Sequence, residues 1–258
     1  MEMYDNNNTV QKSFDTDFLP EESLQAQWAE MIELKKVITE LYNSKGGPVT
    51  ILDIGIGNAR IPKHLCGITE IWNMIGKYDG TDHALNCTQI AEKVIESLGI
   101  RDKVTVYFMD ALDLHKWKMK YDLVIATWFT AGNFYPTGFP FETYAQSGPR
   151  LDLSTNEKFE KIFLNAYNLL EPNGEIVIGA CYIDNSKTRK KQEAFYKKIG
   201  MTIITDERDS FTATKERFWS QRFTRNKLYN YFHFVSPGNI SFIPLDTYEF
   251  AMQVRIKR

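Results

Sequence analysis

Sulfur is scarce in this chain and is not arranged to bind anything. Its three cysteines, Cys66, Cys87 and Cys181, are odd in number, widely spaced and form no Cys-x-x-Cys pair. That excludes a disulfide framework and argues against structural zinc, leaving neutral thiols in a reducing compartment. Long apolar runs are absent too. No stretch approaches the ~18 residues of a membrane span. The first residues, MEMYDNNNTVQKSFDTDF, have neither the basic start nor the apolar centre of a secretory leader. An excess of positive charge is also missing, since 31 Lys and Arg face 33 Asp and Glu for a net charge of −2. Chains that live on nucleic acid or anionic lipid carry a basic surplus to neutralise phosphates. These absences imply a soluble, cytoplasmic protein with no nucleic-acid or membrane partner; a monomer or homodimer is expected.

What the chain does have is apolar and aromatic. Hydrophobic residues make up 43% and aromatics 14%, enough to fill a core and line a pocket, so most of the chain is not disordered. At roughly 150 residues per domain, 258 residues fall between one and two domains, and no internal boundary argues for two. Residues 1–19 read as a polar arm. A helix is expected from Pro20, with an apolar stripe of Leu24, Trp28, Met31, Leu34, Val37, Ile38 and Leu41, stopped at Gly46-Gly47-Pro48. Short apolar runs then alternate with helical patterns. Strands are expected at 49–54, 77–82, 104–108, 121–127 and 175–180. Helices are expected over 60–75, over 86–98, and from a Ser154–Glu157 capping box to Leu170. Such alternation implies parallel pairing by right-handed crossovers in an open doubly wound α/β sheet, whose ligands sit outside the carboxyl ends of the strands. Further on come a basic helix over 187–198, strands at 201–205 and within 211–223, and a helix capped by Thr224. Two last strands, 240–244 and 248–256, are joined tightly enough for an antiparallel hairpin.

The strongest local signal is Ile51-Leu52-Asp53-Ile54-Gly55-Ile56-Gly57-Asn58-Ala59-Arg60. A strand runs into two glycines and then a helix, so the backbone can turn tightly and approach a ligand, and the helix start offers free N–H groups. A dinucleotide fold wants a third small residue where this chain has Arg60. A carboxylate ahead of the loop does nothing for a pyrophosphate but suits a ligand with an ammonium group. Arg60 suits one with a carboxylate. An amino-acid-bearing nucleoside has both.

On these residues the chain resembles the class I S-adenosylmethionine-dependent methyltransferases, particularly their small-molecule branch. The resemblance covers about residues 49–180 well and the rest loosely. It implies a Rossmann-like, mostly parallel seven-stranded sheet with a C-terminal antiparallel hairpin, in which 1–45 forms an N-terminal lid. The core would run over 46–258, with a substrate-covering insert at about 182–224. The cofactor would be S-adenosylmethionine, leaving as S-adenosylhomocysteine, with no metal. The first motif is Asp53, Gly55 and Gly57, with Ala59 at the third glycine, followed by Asn58 and Arg60. The second is Asp82 for the ribose hydroxyls, with His83 beside it and Asp79 as runner-up. The third is Asp110-Ala111 for the adenine amino group. The fourth is the 121–127 strand, whose end at Thr127 borders cofactor and substrate, and the fifth is Leu170-Glu171-Pro172-Asn173-Gly174.

The implied activity is transfer of a methyl group to N or O of a small acceptor, in which the protein aligns the reactants and needs no catalytic triad. No catalytic residue is singled out. After the fourth strand, Thr127-Trp128-Phe129-Thr130-Ala131-Gly132-Asn133-Phe134-Tyr135-Pro136 lacks both the signature of DNA amine methylases and the acids of metal-dependent catechol-type enzymes. Trp128, Phe129, Asn133 and Tyr135 are expected to line the acceptor pocket, with Trp219 and Arg222 contributed by the insert. Other readings are a nicotinamide-dependent oxidoreductase, a protein or RNA methyltransferase, and a non-catalytic cofactor-binding scaffold.

Overall fold

The computed structural model describes residues 19–146, 150–246 and 249–258. Nine strands are defined among them. Seven, β1 (Val49–Ile54), β2 (Ile75–Asp82), β3 (Val104–Phe108), β4 (Tyr121–Ala126), β5 (Leu170–Tyr182), β8 (Ile240–Pro244) and β9 (Ala251–Lys257), form one sheet in the order β3-β2-β1-β4-β5-β9-β8. The first five pair in parallel, and β9 pairs antiparallel with both β5 and β8. The strand order reverses between β1 and β4, which opens the crevice where ligands of such sheets bind. A separate two-stranded ribbon, β6 (Phe211–Ala213) and β7 (Trp219–Gln221), belongs to the late insert.

Alternation along each central strand sends side chains to two cores. Ile51, Leu123, Ile125 and Val177 pack on one face, with α1 (Glu21–Lys45) and α4 (Leu85–Leu98). Leu52, Ile54, Val124, Ala126, Ile176 and Ile178 pack on the other, with α5 (Glu157–Asn168) and α7 (Arg225–Tyr231). Two short helices, α2 (Arg60–Cys66) and α3 (Thr69–Asn73), occupy the segment expected as one. The basic helix α6 (Ser186–Lys198) follows β5 and packs beside β6.

Several expectations are corrected. Pro20 is the N-cap of α1, not its first helical residue. Met31, Leu34, Val37, Ile38 and Leu41 are buried against the sheet, so this length of α1 is core rather than lid. The arm at 1–18 lies outside the described residues. Trp28 leaves the stripe and is 65% exposed. Asn156, two residues past Ser154, caps α5: its side chain accepts from the Phe159 N–H at 3.2 Å, and Glu160 accepts from the Asn156 N–H at 3.1 Å. Ser154 is engaged by Asp152 instead. The Pro172-Asn173-Gly174 turn lies inside β5 as a bulge, across which the register with β4 slips from Tyr121↔Leu170 to Leu123↔Glu175. The strand expected at 201–205 is a single bridge, Ile203 to Thr214.

Candidate functional site

A cavity of about 220 Å³ opens at the carboxyl ends of β1, β2, β3 and β4. The loop after β1 forms its floor. Gly55 has φ 78°, and a Cβ there would meet the Thr130 side chain at 2.5 Å, so only glycine fits between this loop and the turn after β4. The loop is pinned to the end of β2. The Gly55 and Ile56 N–H groups donate to Thr81 O at 2.8 and 3.0 Å, and the Gly57 N–H donates to Asp82 Oδ2 at 3.0 Å. These amides are therefore spent within the protein rather than held free for a ligand. The other Asp82 oxygen accepts from the Ala84 N–H at 2.9 Å. Burial raises the pKa of Asp82, opposed by these backbone donors.

Gly55, Gly57, Asn58, Arg60, Asp82, His83, Asp110, Ala111 and Thr127 all line this cavity. Asp110 also caps the 3-10 turn at Ala111–Lys116, accepting from the Leu112 N–H at 2.9 Å. Asp53 is the exception. It lies under the loop, outside the lining, where its Oδ2 accepts from the Tyr78 hydroxyl at 2.6 Å and its buried Oδ1 has no partner. Burial pushes its carboxyl up to about 7, against the pull of the Tyr78 hydroxyl and the Arg60 charge. Asp79, the runner-up, is a strand residue that binds the Tyr121 hydroxyl at 2.8 Å and Lys77 at 2.9 Å.

One buried residue that braces the cavity wall has no counterpart among the expectations. Glu30, on α1, is fully buried. Its Oε1 accepts from the Trp128 N–H at 2.8 Å and its Oε2 from Arg60 at 3.2 Å. Room for it comes from β5, because a Cβ on Gly179 would lie 1.6 Å from Glu30 Oε1. Arg60 in turn lies over the Trp128 ring, 4.7 Å from its centroid. Trp128 and Phe129 hold positive φ angles of 54° and 59°, a costly backbone for aromatic residues that this network secures at Trp128. Burial raises the Glu30 pKa and the Arg60 charge opposes it. The available signal was an acid at a core position of α1, between Ala26 and Leu34, where periodicity demands an apolar residue.

The residues expected to line an acceptor pocket divide. Trp128, Asn133, Tyr135 and Trp219 line the cavity, joined by Phe134, Lys158, Arg217 and Phe218. Trp219 also stacks on Phe211 with centroids 3.8 Å apart, so it is wall and core together. Phe129 does not reach the cavity. It stacks on Tyr182, centroids 3.8 Å apart, under Phe250. Arg222 does not reach it either. Its guanidinium is buried in the insert, donating to Gln192 Oε1 at 2.6 Å, Thr212 Oγ1 at 2.8 Å and the carbonyls of Asp209 and Phe211. With these donors committed it knits the ribbon to α6 instead of meeting a ligand. Among the described residues, no group of three or more His, Cys, Asp or Glu is placed to hold a metal, and no helix is long and apolar enough to cross a membrane.

No family model matches the chain, and no curated protein is similar to it in sequence. Solved structures are similar in fold. An S-adenosylmethionine-dependent methyltransferase from Clostridium acetobutylicum aligns over 86% of this chain and 89% of its own, with TM-score 0.54 and 12% identity. An amino pentose methyltransferase from Micromonospora echinaspora, involved in calicheamicin biosynthesis and bound to its cofactor, aligns over 89% of this chain and 92% of its own, with TM-score 0.52 and 10% identity. An O-methyltransferase family protein from Burkholderia thailandensis aligns over 88% of this chain but 55% of its own, with TM-score 0.54 and 9% identity. The fold is that of the class I S-adenosylmethionine-dependent methyltransferases, with their mostly parallel seven-stranded sheet and antiparallel C-terminal strands.

Proposed function

We propose that the protein transfers a methyl group from S-adenosylmethionine to a nitrogen or oxygen of a small-molecule acceptor. The observation that carries this reading is the convergence of the Gly55–Gly57 loop, Asp82 and Asp110 on one cavity at the switch point of this fold. The residues fit such a cofactor. The glycines let the loop lie close to it, and Asp82 and Asp110 offer carboxylate oxygens to ribose hydroxyls and to an adenine amino group. Arg60, held by Glu30 and Trp128, is the cation for the amino-acid carboxylate. Asp53 sits beneath the loop, bound to the Tyr78 hydroxyl, and makes no ligand contact in this reading.

When bound, the cofactor supplies an electrophilic methyl on a sulfonium. The protein's share is alignment and exclusion of water. Thr127 and Trp128 stand where the cofactor and acceptor ends of the cavity meet, and Phe134, Tyr135, Phe218 and Trp219 wall the acceptor side with rings. No metal enters this reading.

Calorimetry with S-adenosylhomocysteine and with NAD tests it. Micromolar or tighter binding of the former and none of the latter is expected, and the reverse sinks the proposal. Asp82→Ala should weaken S-adenosylhomocysteine by about tenfold or more, since each charge-assisted hydrogen bond contributes about 1.5–3 kcal/mol. Unchanged affinity would mean the ribose acid is elsewhere.

A further inference from the structure

We propose that the acceptor is a flat, ring-bearing molecule with an acidic group, and that Lys158 and Arg217 receive that group. This rests on the methyl-transfer reading for the term acceptor but not for the binding site. The two ends of the cavity differ in charge. Asp82, Asp110 and Arg60, the last paired with buried Glu30, stand at the cofactor end, whereas the acceptor end is lined by Asn133, aromatic rings and two cations that have no buried carboxylate partner among the described residues.

Lys158, in the first turn of α5, places its Nζ 5.1 Å from the Tyr135 ring centroid. Among the described residues no carboxylate pairs with it. Arg217 sits with its guanidinium carbon 5.5 Å from the Phe141 ring centroid. Its one carboxylate, Glu142, is 3.8 Å away and 71% exposed, so water screens that pair. The two rings are neighbours, with centroids 5.3 Å apart at 87°. Two cations are therefore mounted on adjacent rings at one end of one cavity, with little of their charge neutralised by the protein.

Backbone conformation points the same way. Arg217 holds φ 66° in the connection between β6 and β7, where glycine would be unstrained. A long cationic side chain is kept there at the cavity despite the conformational cost. A ring face leaves the outer side of each cation free, and a guanidinium fork matches the geometry of a carboxylate or phosphate. The rings of Tyr135, Phe134 and Trp219 suit a planar body beside that charge.

The test titrates S-adenosylhomocysteine-saturated protein with aromatic carboxylic acids, their matched primary amides, and aryl phosphates, read by calorimetry. At least one acid or phosphate should bind about tenfold tighter than its neutral partner, and the better of the two anions identifies the group. The preference should fall by more than half, on a logarithmic scale, in Lys158→Gln and in Arg217→Gln, with affinity for S-adenosylhomocysteine unchanged. Amides binding as well as acids, no member binding at all, or a preference that survives both substitutions overturns the proposal. Failure of S-adenosylhomocysteine to bind instead removes the methyl-transfer reading, and the anion preference is then read on the protein alone.

Discussion

The two ends of the cavity are built by different means. At the end proposed for the cofactor, the glycine loop and its acids are fixed by strand ends. Thr81 and Asp82 at the tip of β2 take up the amides of the glycine loop, and Asp110 closes the turn after β3. At the acceptor end cohesion comes from ring packing, in which Phe139, Phe141, Tyr144, Phe211 and Trp219 join the segment after β4 to the insert. Polar ties there run between loop and insert, as in Tyr144 to Asp209 at 2.5 Å. Hydrogen bonds along strand ends give a rigid frame for a ligand that does not change. Rings on a short ribbon can repack around one that does.

Substitutions can break or sharpen that contrast. The largest effect is expected at the hinge of the cofactor end. Gly179→Ala places a methyl 1.6 Å from Glu30 Oε1 and should destabilise the fold by about 3–5 kcal/mol by expelling a buried charge from its partner. Glu30→Ala in the same chain should recover part of that loss by denaturant unfolding. A loss below about 1 kcal/mol for the single variant would refute the contact.

Next comes Asp53, held protonated to about pH 7 by burial. Unfolded, the same group releases its proton near pH 4, so between about pH 4 and 7 the folded chain binds one more proton than the unfolded chain. Stability should therefore fall as pH rises through that window and level off above it. The contribution is on the order of 4 kcal/mol, and Asp53→Asn should flatten the slope. Glu30 and Asp82, both also raised by burial, keep the remainder.

Arg222→Met should cost about 2–3 kcal/mol, because it removes the shared donor of Gln192, Thr212 and the buried Asp209 and Phe211 carbonyls. Hydrogen exchange should locate the loss in the β6–β7 ribbon, with S-adenosylhomocysteine affinity retained. If affinity falls in step, the two ends are not separable. The smallest effect belongs to His83 at the rim, where His83→Ala should change stability by less than about 0.5 kcal/mol.

The same contrast explains what the sequence could reveal. The Gly55–Gly57 loop, Asp82 and Asp110 are legible because each is set by its own strand end, a local pattern of apolar run followed by acid or glycine. Arg222 and Phe129 lie away from the cavity because their partners, Gln192 and Thr212 for one and Tyr182 for the other, are chosen by tertiary packing that residue type does not encode. Both were polar or aromatic residues in a plausible segment, which fits pocket and core equally. Glu30 was invisible for the opposite reason. An acid in an apolar stripe reads as a surface residue until Arg60, 30 positions away, is known to face it. The α5 cap moved by two residues because Asp152 competes for Ser154, and strands as short as β6 and β7 carry too few residues for a period to register.

Trp128 has one more consequence. Its indole lines the cavity beneath a guanidinium paired with Glu30, while Trp219 lines it from the insert. The molecule thus carries two intrinsic optical reporters, one for each half of its cavity. In a chain reduced to either indole by Trp→Phe exchange, emission should shift with S-adenosylhomocysteine for Trp128 and with an aromatic acid for Trp219. The order in which the halves fill could then be timed without a label.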